Sequence, residues 1–390
     1  MLLSRRELGL KVVVLGGGGA MGMVTARDLA ECPGVEVVIG EANLEQAEKV
    51  AKWTGSGKVS VQKVDVNNHG HLVEVMASAD VVANATPYYL NLQVTRAAID
   101  AGKPLTDLGG VYHMTLDQLE LNEKARNAGV TVALGCGVAP GIADILAKYG
   151  ADKLDTVNEV HIRYGEVNLE PVKYKWSFRT VLEEYTKGPV VYENGEFKQL
   201  EPFAGKHVFR FPLPIGERSC CYALYSGMAT LPESISKGVQ NVDCAMSFVE
   251  EDEQRIHFLT EMGLTSEAPI RLESGEISPR EFLLKCAPPP DVHARDAAGV
   301  VVEVIGAEDG QTVKHTYSLV QAYHEKYGVS ALAYLTGMPL SVVAQMLGRG
   351  EIPLQGVLPP EIAVRPTPFW AELAKRRVKI VETTQTSNVL

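Results

Sequence analysis

The amino-acid sequence predicts an α/β protein in which a doubly wound parallel sheet is followed by a second, α+β domain with a mostly antiparallel sheet. Strand and helix patterns alternate over the first 150 residues, and a glycine-rich turn follows the first strand. Beyond residue 150 the pattern changes to long strands in which apolar and polar residues alternate. Because one hydrophobic core rarely serves more than ~250–300 residues, we divide the chain into residues 1–150, 151–328 and 329–390, the last returning helices to the first domain.

The first domain contains six predicted strands, which are continuous Val, Ala and Leu runs rather than alternating patterns. Such runs are typical of parallel strands that helices cover on both faces. The strands are expected at residues 11–15, 35–39, 59–65, 80–86, 104–108 and 130–134. Helices are expected between them at residues 21–31, 43–53, 71–76, 91–101 and 115–128.

The second domain is predicted to hold five longer strands and few helices. The strands are expected at residues 157–164, 208–211, 241–249, 300–305 and 312–321, and the helices at residues 178–185 and 279–285. Helical spacing of apolar residues returns at 340–347, whereas the proline-rich segment 352–370 is expected to be irregular.

Composition excludes several classes of partner. The net charge of −11 argues against nucleic acid or an anionic membrane surface as the main partner. No apolar run approaches the ~20 residues that cross a bilayer, and the N-terminus lacks the pattern of a signal peptide, so we expect a cytoplasmic protein. None of the six cysteines has the spacing of a zinc site, so we expect reduced thiols and no metal. The vicinal pair Cys220-Cys221 leaves a redox role as the alternative.

The glycine-rich turn predicts binding of a dinucleotide. It has the pattern G-x-G-x-x-G at Gly17, Gly19 and Gly22, between a strand and a helix that opens with Ala20 and Met21. Gly17 is expected to permit the tight turn, Gly19 to let the backbone approach the pyrophosphate, and Gly22 to let the helix pack closely on the strand. The pyrophosphate would then lie at the positive end of the helix dipole. These features are typical of a Rossmann domain.

Glu41 predicts which dinucleotide is bound. It follows the second strand, 24 residues after Gly17, where an acidic residue hydrogen-bonds the ribose hydroxyls. Its carboxylate would repel the 2′-phosphate of NADP, and no Arg or Lys follows it directly. The sequence therefore favours NAD over NADP, with a solvated turn residue as the alternative interpretation of Glu41.

Other strand ends are expected to line the same crevice, because ligands of doubly wound sheets bind at the carboxyl ends of the strands. The candidate cofactor-binding residues at these ends are Asp65, Val66, Thr86, Pro87, Cys136 and Val138. The alternative for Cys136 is a small packing residue in the core.

Taken together, these motifs resemble the saccharopine dehydrogenase family, and within it the lysine 6-dehydrogenases. Two segments carry most of the resemblance, Asp107-Leu108-Gly109-Gly110 and Gly137-Val138-Ala139-Pro140-Gly141. Further matching segments are residues 14–22, 84–88, 182–185, 194–195, 226–227, 343–347 and 356–361.

The resemblance implies NAD(P)-dependent oxidation of a C–N bond in an amino acid, or the reverse reaction. For a lysine 6-dehydrogenase, the side-chain amine of L-lysine or a related diamino acid would become an imine, which hydrolyses to a semialdehyde and cyclises. The resemblance also implies a central sheet domain that dimerises, so we expect a homodimer or higher homo-oligomer.

Two other functions stay open at the level of sequence. One is a dehydrogenase of secondary amines, such as saccharopine or a carboxylated polyamine. Saccharopine-forming members carry a segment that resembles Arg-Tyr-x-Gly-His, whereas this chain has Met246 to Glu250 there. This difference argues against saccharopine itself as the substrate. The other is a non-catalytic NAD-sensing protein, which would lack polar groups opposite the nicotinamide.

Oxidation of an amine needs a base that keeps the amine neutral, because a protonated amine has no lone pair to assist loss of the hydride. Asp107, at the end of the fifth strand, is the candidate base, with a loop-capping residue as its alternative. Tyr88, after the fourth strand, is a candidate hydrogen-bond donor to substrate or cofactor, with an ordinary packed aromatic as its alternative.

An amino-acid substrate also needs a cation for its carboxylate, and Arg can bind a carboxylate through two parallel hydrogen bonds. Arg179 is the candidate because it lies among the aromatic residues Tyr174, Trp176 and Phe178. Tyr174 is expected to form a wall of the same substrate pocket. The alternative for Arg179 is a solvated position on a helix.

Overall fold

The computed structural model describes residues 9–171, 174–273 and 275–387. Within these residues the strands are β1 (Leu10–Leu15), β2 (Val35–Glu41), β3 (Val59–Lys63), β4 (Val81–Asn84), β5 (Leu105–Asp107), β6 (Thr131–Ala133), β7 (Thr156–Asn168), β8 (Val190–Glu193), β9 (Glu196–Gln199), β10 (His207–Arg210), β11 (Glu217–Tyr222), β12 (Asn241–Ser247), β13 (Ile270–Leu272), β14 (Gly275–Ile277), β15 (Asp296–Glu308), β16 (Gln311–Ala322), β17 (Gly356–Leu358) and β18 (Val381–Ser387).

The helices are α1 (Ala20–Glu31), α2 (Leu44–Thr54), α3 (His69–Ala77), α4 (Asn91–Asp100), α5 (Tyr112–Leu119), α6 (Asn122–Asn127), α7 (Ile142–Asp152), α8 (Phe178–Thr186), α9 (Leu231–Ile235), α10 (Glu250–Glu261), α11 (Pro279–Cys286), α12 (Ala331–Gly348), α13 (Pro360–Ala363) and α14 (Pro366–Lys375). Short 3₁₀ helices lie at Tyr88–Leu90 and Ser226–Ala229.

The first sheet is parallel throughout and has seven strands in the order β17-β6-β5-β4-β1-β2-β3. The predicted doubly wound sheet is therefore confirmed. The strand order reverses direction between β1 and β4, and a crevice opens at such a point beyond the carboxyl ends of the strands. The glycine-rich turn after β1 lies at this position, which is where the sequence placed the cofactor.

The second sheet has nine strands and is mostly antiparallel, as predicted. Its main order is β10-β11-β12-β7-β15-β16-β18, and β8 pairs with both β12 and β9. The β7–β12 pair is parallel, while the pairs of β15 with β7 and β16 are antiparallel. The expected α+β unit is confirmed, with one parallel pair that alternation of side chains alone could not indicate.

The C-terminal residues join both sheets. Helix α12 packs against α1, where Thr25 Oγ1 donates a hydrogen bond to the carbonyl of Gly337 at 2.8 Å. Asp28 on α1 receives Arg376 Nε at 2.8 and 2.9 Å and Ser341 Oγ at 2.6 Å. Strand β17 completes the first sheet, whereas β18 pairs with β16 of the second. The helix α12 is apolar and long enough to span a membrane, yet 94% of it is buried inside the protein.

Two local predictions were wrong. The segment 352–370, expected to be irregular, contains β17, α13 and the first half of α14, because Pro360 and Pro366 stand in the first turns of helices, where proline needs no amide hydrogen. The helix expected at 115–128 is divided into α5 and α6, since the amide of Leu121 bonds the carbonyl of Gln118 in a tighter turn.

Candidate active site

The turn after β1 depends on Gly16, a residue the motif does not single out. Gly16 has φ of +68°, and a Cβ there would lie 2.7 Å from the carbonyl oxygen of Ala85. The tight turn assigned to Gly17 therefore belongs to Gly16, because only Gly16 of the two has left-handed backbone. Gly17 is instead confined by Ile39, whose Cγ2 would be 2.9 Å from a Cβ.

Of the other two motif glycines, Gly22 packs as the sequence predicts, and the role of Gly19 stays a prediction. A Cβ on Gly22 would collide with the carbonyl of Gly16, so α1 packs directly on the turn. Gly19 is the N-cap of α1 and has extended backbone without a side-chain cap. Ala20 and Met21 open the helix, where the first amides have no intrahelical acceptor. This cradle fits the pyrophosphate of a dinucleotide.

Glu41 lies against the same turn. Its Oε2 accepts a hydrogen bond from the amide of Gly18 at 3.2 Å, and its Oε1 accepts one from the amide of Ala42 at 2.9 Å. Gln46 Nε2 donates to the carbonyl of Gly18 at 3.2 Å. The carboxylate is thus held beside the glycine turn at the end of β2, the position expected of a ribose-binding acid.

The strand ends at β3 and β4 differ in how they are held. Asp65 is exposed, and its Oδ1 accepts hydrogen bonds from the backbone and side-chain nitrogens of Asn67 at 2.9 and 3.0 Å. Val66 beside it is half-buried. At β4, both the amide and the hydroxyl of Thr86 donate to Asn84 Oδ1, at 3.1 and 2.6 Å, and Pro87 is exposed.

Asp107 is not the crevice-facing base that we predicted. It is completely buried. Its Oδ1 accepts the amides of Gly109 and Gly135, each at 2.8 Å, and its Oδ2 accepts Gln118 Nε2 at 2.8 Å. Both oxygens are thus committed to groups that bind the loops after β5 and β6 together. This geometry corresponds to the alternative interpretation, a loop-capping aspartate, and we do not assign Asp107 a proton-transfer role.

Cys136 and Val138 also lie deeper than expected. The side chain of Cys136 is 1% exposed, and its Sγ lies 3.3 Å from the carbonyl of Leu134. Burial raises the pKa of this thiol well above its usual range. Val138 is buried as well. A contact of this loop with the cofactor would therefore be made by backbone atoms, and the interpretation of Cys136 as a packing residue fits the structure.

Tyr88 connects the two units of the protein. Its ring covers Gly110, where a Cβ would lie 2.6 Å from Tyr88 Cβ. Its hydroxyl donates a short hydrogen bond to Glu183 Oε2 on α8. Burial, followed by the hydrogen bond to Glu183 and the charge of that residue, raises the pKa of Tyr88 far above its usual value, so the phenol stays protonated at neutral pH.

Arg179 and Tyr174 lie on the second unit. Arg179 pairs with Glu281 at 2.6 Å and stacks over the ring of Tyr89, the neighbour of Tyr88, so the structure brings it near the end of β4. The ring of Tyr174 packs on Phe178, with centroids 4.9 Å apart. Arg179 thus lies near the end of β4, but an exposed carboxylate already pairs with its guanidinium, and its binding of a substrate stays a prediction.

Sequence reasoning missed Glu183 and Arg280 as members of this site. Both are buried, and Arg280 Nη2 lies 3.3 Å from Glu183 Oε1. Glu183 belongs to the segment 182–185, which matches the family, and this match was the signal that could have indicated it. Arg280 has no local signal, because its partner comes from a different helix.

Three further carboxyl groups lie nearby, of which those of Asp144 and Glu361 are buried and that of Glu184 is partly buried. Glu184 accepts the amide of Leu224 at 2.9 Å, and burial raises the pKa of Glu184 to about 8. Asp144, at the start of α7, accepts Gly141 N at 2.6 Å and Tyr225 Oη at 2.7 Å. Burial raises the pKa of Asp144 to about 6. Burial and then the charge of Asp144 raise the pKa of Glu361 on α13 to about 8.

Comparison with known protein families identifies the chain. The profile of the saccharopine dehydrogenase NADP-binding domain matches residues 12–133, and that of the saccharopine dehydrogenase C-terminal domain matches residues 137–378. The second match covers more than half of the 390 residues. The chain belongs to the saccharopine dehydrogenase family. It is an oxidoreductase of this family that acts on amine groups and uses a nicotinamide nucleotide, and the resemblance seen in the sequence is confirmed.

Relatives of this saccharopine dehydrogenase family protein match it over most of its length. Carboxyaminopropylagmatine dehydrogenase of Synechocystis sp. is 23% identical and is covered to 95%, with 94% of this chain covered. Carboxynorspermidine synthase of Vibrio cholerae is 25% identical, with 89% of this chain and 86% of the relative covered. Apo saccharopine dehydrogenase (L-Glu forming) from Saccharomyces cerevisiae superposes with a TM-score of 0.74 over 97% of this chain and 100% of its own, at 20% identity, and supports the fold.

Gly22→Ala should weaken binding of the reduced cofactor by ~10-fold or more, because the added Cβ forces α1 away from the turn that holds the pyrophosphate. Titration of the fluorescence of bound NADH or NADPH measures the affinity. Gly57→Ala is the matched control, since a Cβ there meets nothing within 4 Å. Unchanged affinity in Gly22→Ala would show that the cofactor lies elsewhere.

The buried carboxyls should make the protein less stable as pH rises. The folded pKa values of Asp144 and Glu361 lie above their ordinary values of 3.8 and 4.5, so both carboxyls are protonated preferentially in the folded state. Their stabilising effect is complete below the ordinary values and is lost as pH rises through about 6 to 8. The free energy of unfolding should therefore fall by up to ~1.4 kcal/mol per pH unit for each proton.

Urea unfolding at a series of pH values measures this slope. Glu361→Gln should flatten it, because the amide cannot ionise, whereas Glu123→Gln, at an exposed position on α6, should leave it unchanged. Parallel slopes in the Glu361 variant and the unmodified protein would mean that Glu361 is ionised in the folded state.

Proposed function

We propose that this protein is an NAD(P)-dependent dehydrogenase of a carboxylated polyamine, a compound in which a secondary amine joins an amino acid to a polyamine. The observation that carries the proposal is the near full-length match to two relatives named for carboxyaminopropylagmatine and carboxynorspermidine. The match to saccharopine dehydrogenase of Pyricularia oryzae covers 56% of this chain and 48% of that protein. The two near full-length matches favour the secondary-amine alternative over the deamination of L-lysine, which was the main interpretation of the sequence.

The chain's own residues suit such a reaction. The cofactor, when bound, supplies or accepts the hydride. The glycine turn and Glu41 would hold its pyrophosphate and ribose, with Thr86 and Pro87 beside its middle. Tyr88 would exchange its hydrogen bond to Glu183 for one to the substrate nitrogen, and the released carboxylate of Glu183 would receive a proton or bind an ammonium group. These polar groups at the strand ends favour an enzyme over a non-catalytic NAD sensor.

The charge of the whole chain favours a cationic substrate. Near Tyr88 the carboxylates of Glu183, Glu267 and Glu281 are balanced by Arg179 and Arg280, with which they pair. The chain as a whole carries a net charge of −11. Such a field raises the local concentration of a polyamine. Residues 1–150 would then bind the cofactor and residues 151–328 the substrate, in a cytoplasmic homodimer or higher homo-oligomer.

The decisive assay couples an aldehyde with an amine. L-aspartate semialdehyde has the carbon skeleton of the carboxyaminopropyl group, so it is offered with agmatine, 1,3-diaminopropane or putrescine in the presence of NADH or NADPH. Loss of absorbance of the reduced cofactor should require both the aldehyde and the amine, and mass spectrometry should identify the carboxylated polyamine.

The same cofactor assay tests the other functions in parallel. L-lysine, ornithine, diaminopimelate and saccharopine are each incubated with NAD and with NADP, and no reduction is expected. Reduction with L-lysine alone would restore side-chain deamination as the function. Tight cofactor binding without turnover of any substrate would favour the sensor.

Glu41 should determine the choice of cofactor. We propose NAD, because the carboxylate held beside Gly18 would repel a 2′-phosphate. Glu41→Gln keeps the size and removes the charge, so kcat/KM for NADPH relative to NADH should rise by ~10-fold. Glu45→Gln, an exposed position on α2, is the control. A preference for NADPH in the unmodified protein would contradict the proposal, whatever the variant does.

A further inference from the structure

The guanidinium of Arg280 is buried with one edge unpaired. Arg280 lies on α11 and is 3% exposed. Its Nη1 lies 3.3 Å from Glu267 Oε1, a residue whose side chain is 68% exposed. Its Nε and Nη2 have no hydrogen-bond acceptor among the residues that the structure describes. Burying a charged donor without an acceptor costs free energy. A ligand that accepts hydrogen bonds from this edge would therefore stabilise it.

The two unpaired nitrogens form the side of the guanidinium that binds a carboxylate. The N–H bonds of Nε and Nη2 are parallel, and their spacing matches the two oxygens of a carboxylate. Glu183 Oε1 lies 3.3 Å from Nη2 but makes no hydrogen bond with it, because its geometry is unfavourable. Glu183 Oε1 instead accepts a long hydrogen bond from Lys187 Nζ, at 3.4 Å, and the other oxygen of Glu183 accepts one from the hydroxyl of Tyr88.

The position of this edge is that of a substrate site. Tyr88 follows β4, whose carboxyl end lies beside the glycine turn, and Glu183 bridges Tyr88 to Arg280. An amino-acid group on Arg280 would therefore lie one side chain away from the reacting end of the cofactor crevice. Arg179 is less suited to bind a carboxylate, because its guanidinium already pairs with Glu281 at 2.6 Å and its side chain is 28% exposed.

We propose that Arg280, rather than Arg179, binds the α-carboxylate of the substrate's amino-acid part through Nε and Nη2, and that the adjacent α-ammonium group replaces the half-exposed Lys187 beside Glu183. This rests on the proposed function for the amino-acid part of the substrate, but it does not depend on which amine that part is joined to. The competing arrangement is a purely structural pair, in which Glu183 itself closes the free edge of Arg280.

A matched pair of ligands isolates the carboxylate. L-2,4-diaminobutyrate and 1,3-diaminopropane differ by the carboxylate alone, and their binding to the protein saturated with oxidised cofactor is measured by isothermal titration calorimetry. The unmodified protein should bind L-2,4-diaminobutyrate the more tightly. Arg280→Lys keeps the charge and removes the paired N–H groups. It should therefore lower the affinity for L-2,4-diaminobutyrate by ~10-fold or more and leave the affinity for 1,3-diaminopropane unchanged.

Two controls accompany Arg280→Lys. Arg179→Lys should keep the preference for the carboxylated ligand, and Arg271→Lys, at an exposed position on the β13–β14 hairpin, should change neither affinity. If Arg280→Lys fails to fold, the double variant Glu183→Gln/Arg280→Gln removes both buried charges, and its melting temperature reports whether it folds. That variant should bind the two ligands with similar affinity.

Several outcomes would overturn the inference. If Arg280→Lys weakens the binding of both ligands equally, Glu183 and Arg280 form a purely structural pair. If only Arg179→Lys loses the preference for L-2,4-diaminobutyrate, Arg179 is the residue that binds the carboxylate. The absence of any preference in the unmodified protein would also exclude the site, as would a preference that survives in the double variant. Failure of the proposed function is distinguishable, because binding needs no turnover: Arg280-dependent binding without turnover of any amine rejects the reaction and retains the site.

Discussion

The geometry of the cofactor crevice depends on the buried carboxylate of Asp107. It receives the amides of Gly109 and Gly135 and the side chain of Gln118, so one carboxylate holds the loops after two neighbouring strands and the helix between them. Burial raises the pKa of Asp107, while these hydrogen bonds lower it. The same contacts that organise the crevice remove Asp107 from chemistry, since neither oxygen is free to accept a proton from a substrate.

Once the loops are held in this way, the site is completed from the second unit of the protein. Tyr88, which covers Gly110, reaches across to Glu183, and Glu183 approaches Arg280 on another helix. The glycine turn and the pair of Glu183 and Arg280 therefore belong to different parts of the chain. The C-terminal helices contact both parts, because Arg376 pairs with Asp28 on the helix that begins at the glycine turn and the amide of Ala331 donates a hydrogen bond to Asp296 on β15.

The comparisons change the functional interpretation more than the fold does. Family membership establishes chemistry on amine groups, but the relatives that match nearly the whole chain are named for carboxylated polyamines rather than for lysine. A secondary amine between an amino acid and a polyamine presents an α-carboxylate at one end and cations at the other. Under the proposed function, Arg280 would bind the first of these two ends.

The sequence alone determined the parallel sheet, the glycine turn and the acid at Glu41, because each depends on local pattern: continuous apolar strands, a glycine that a close approach requires, and a residue directly after a strand. Only the tertiary structure decided that Gly16 makes the turn, that Asp107 is buried, and that Arg280 lies beside Glu183. Those outcomes depend on which distant backbone or side chain comes to lie next to a residue. A sequence records the chemical type of each residue, whereas its neighbours in space exist only once the chain has folded.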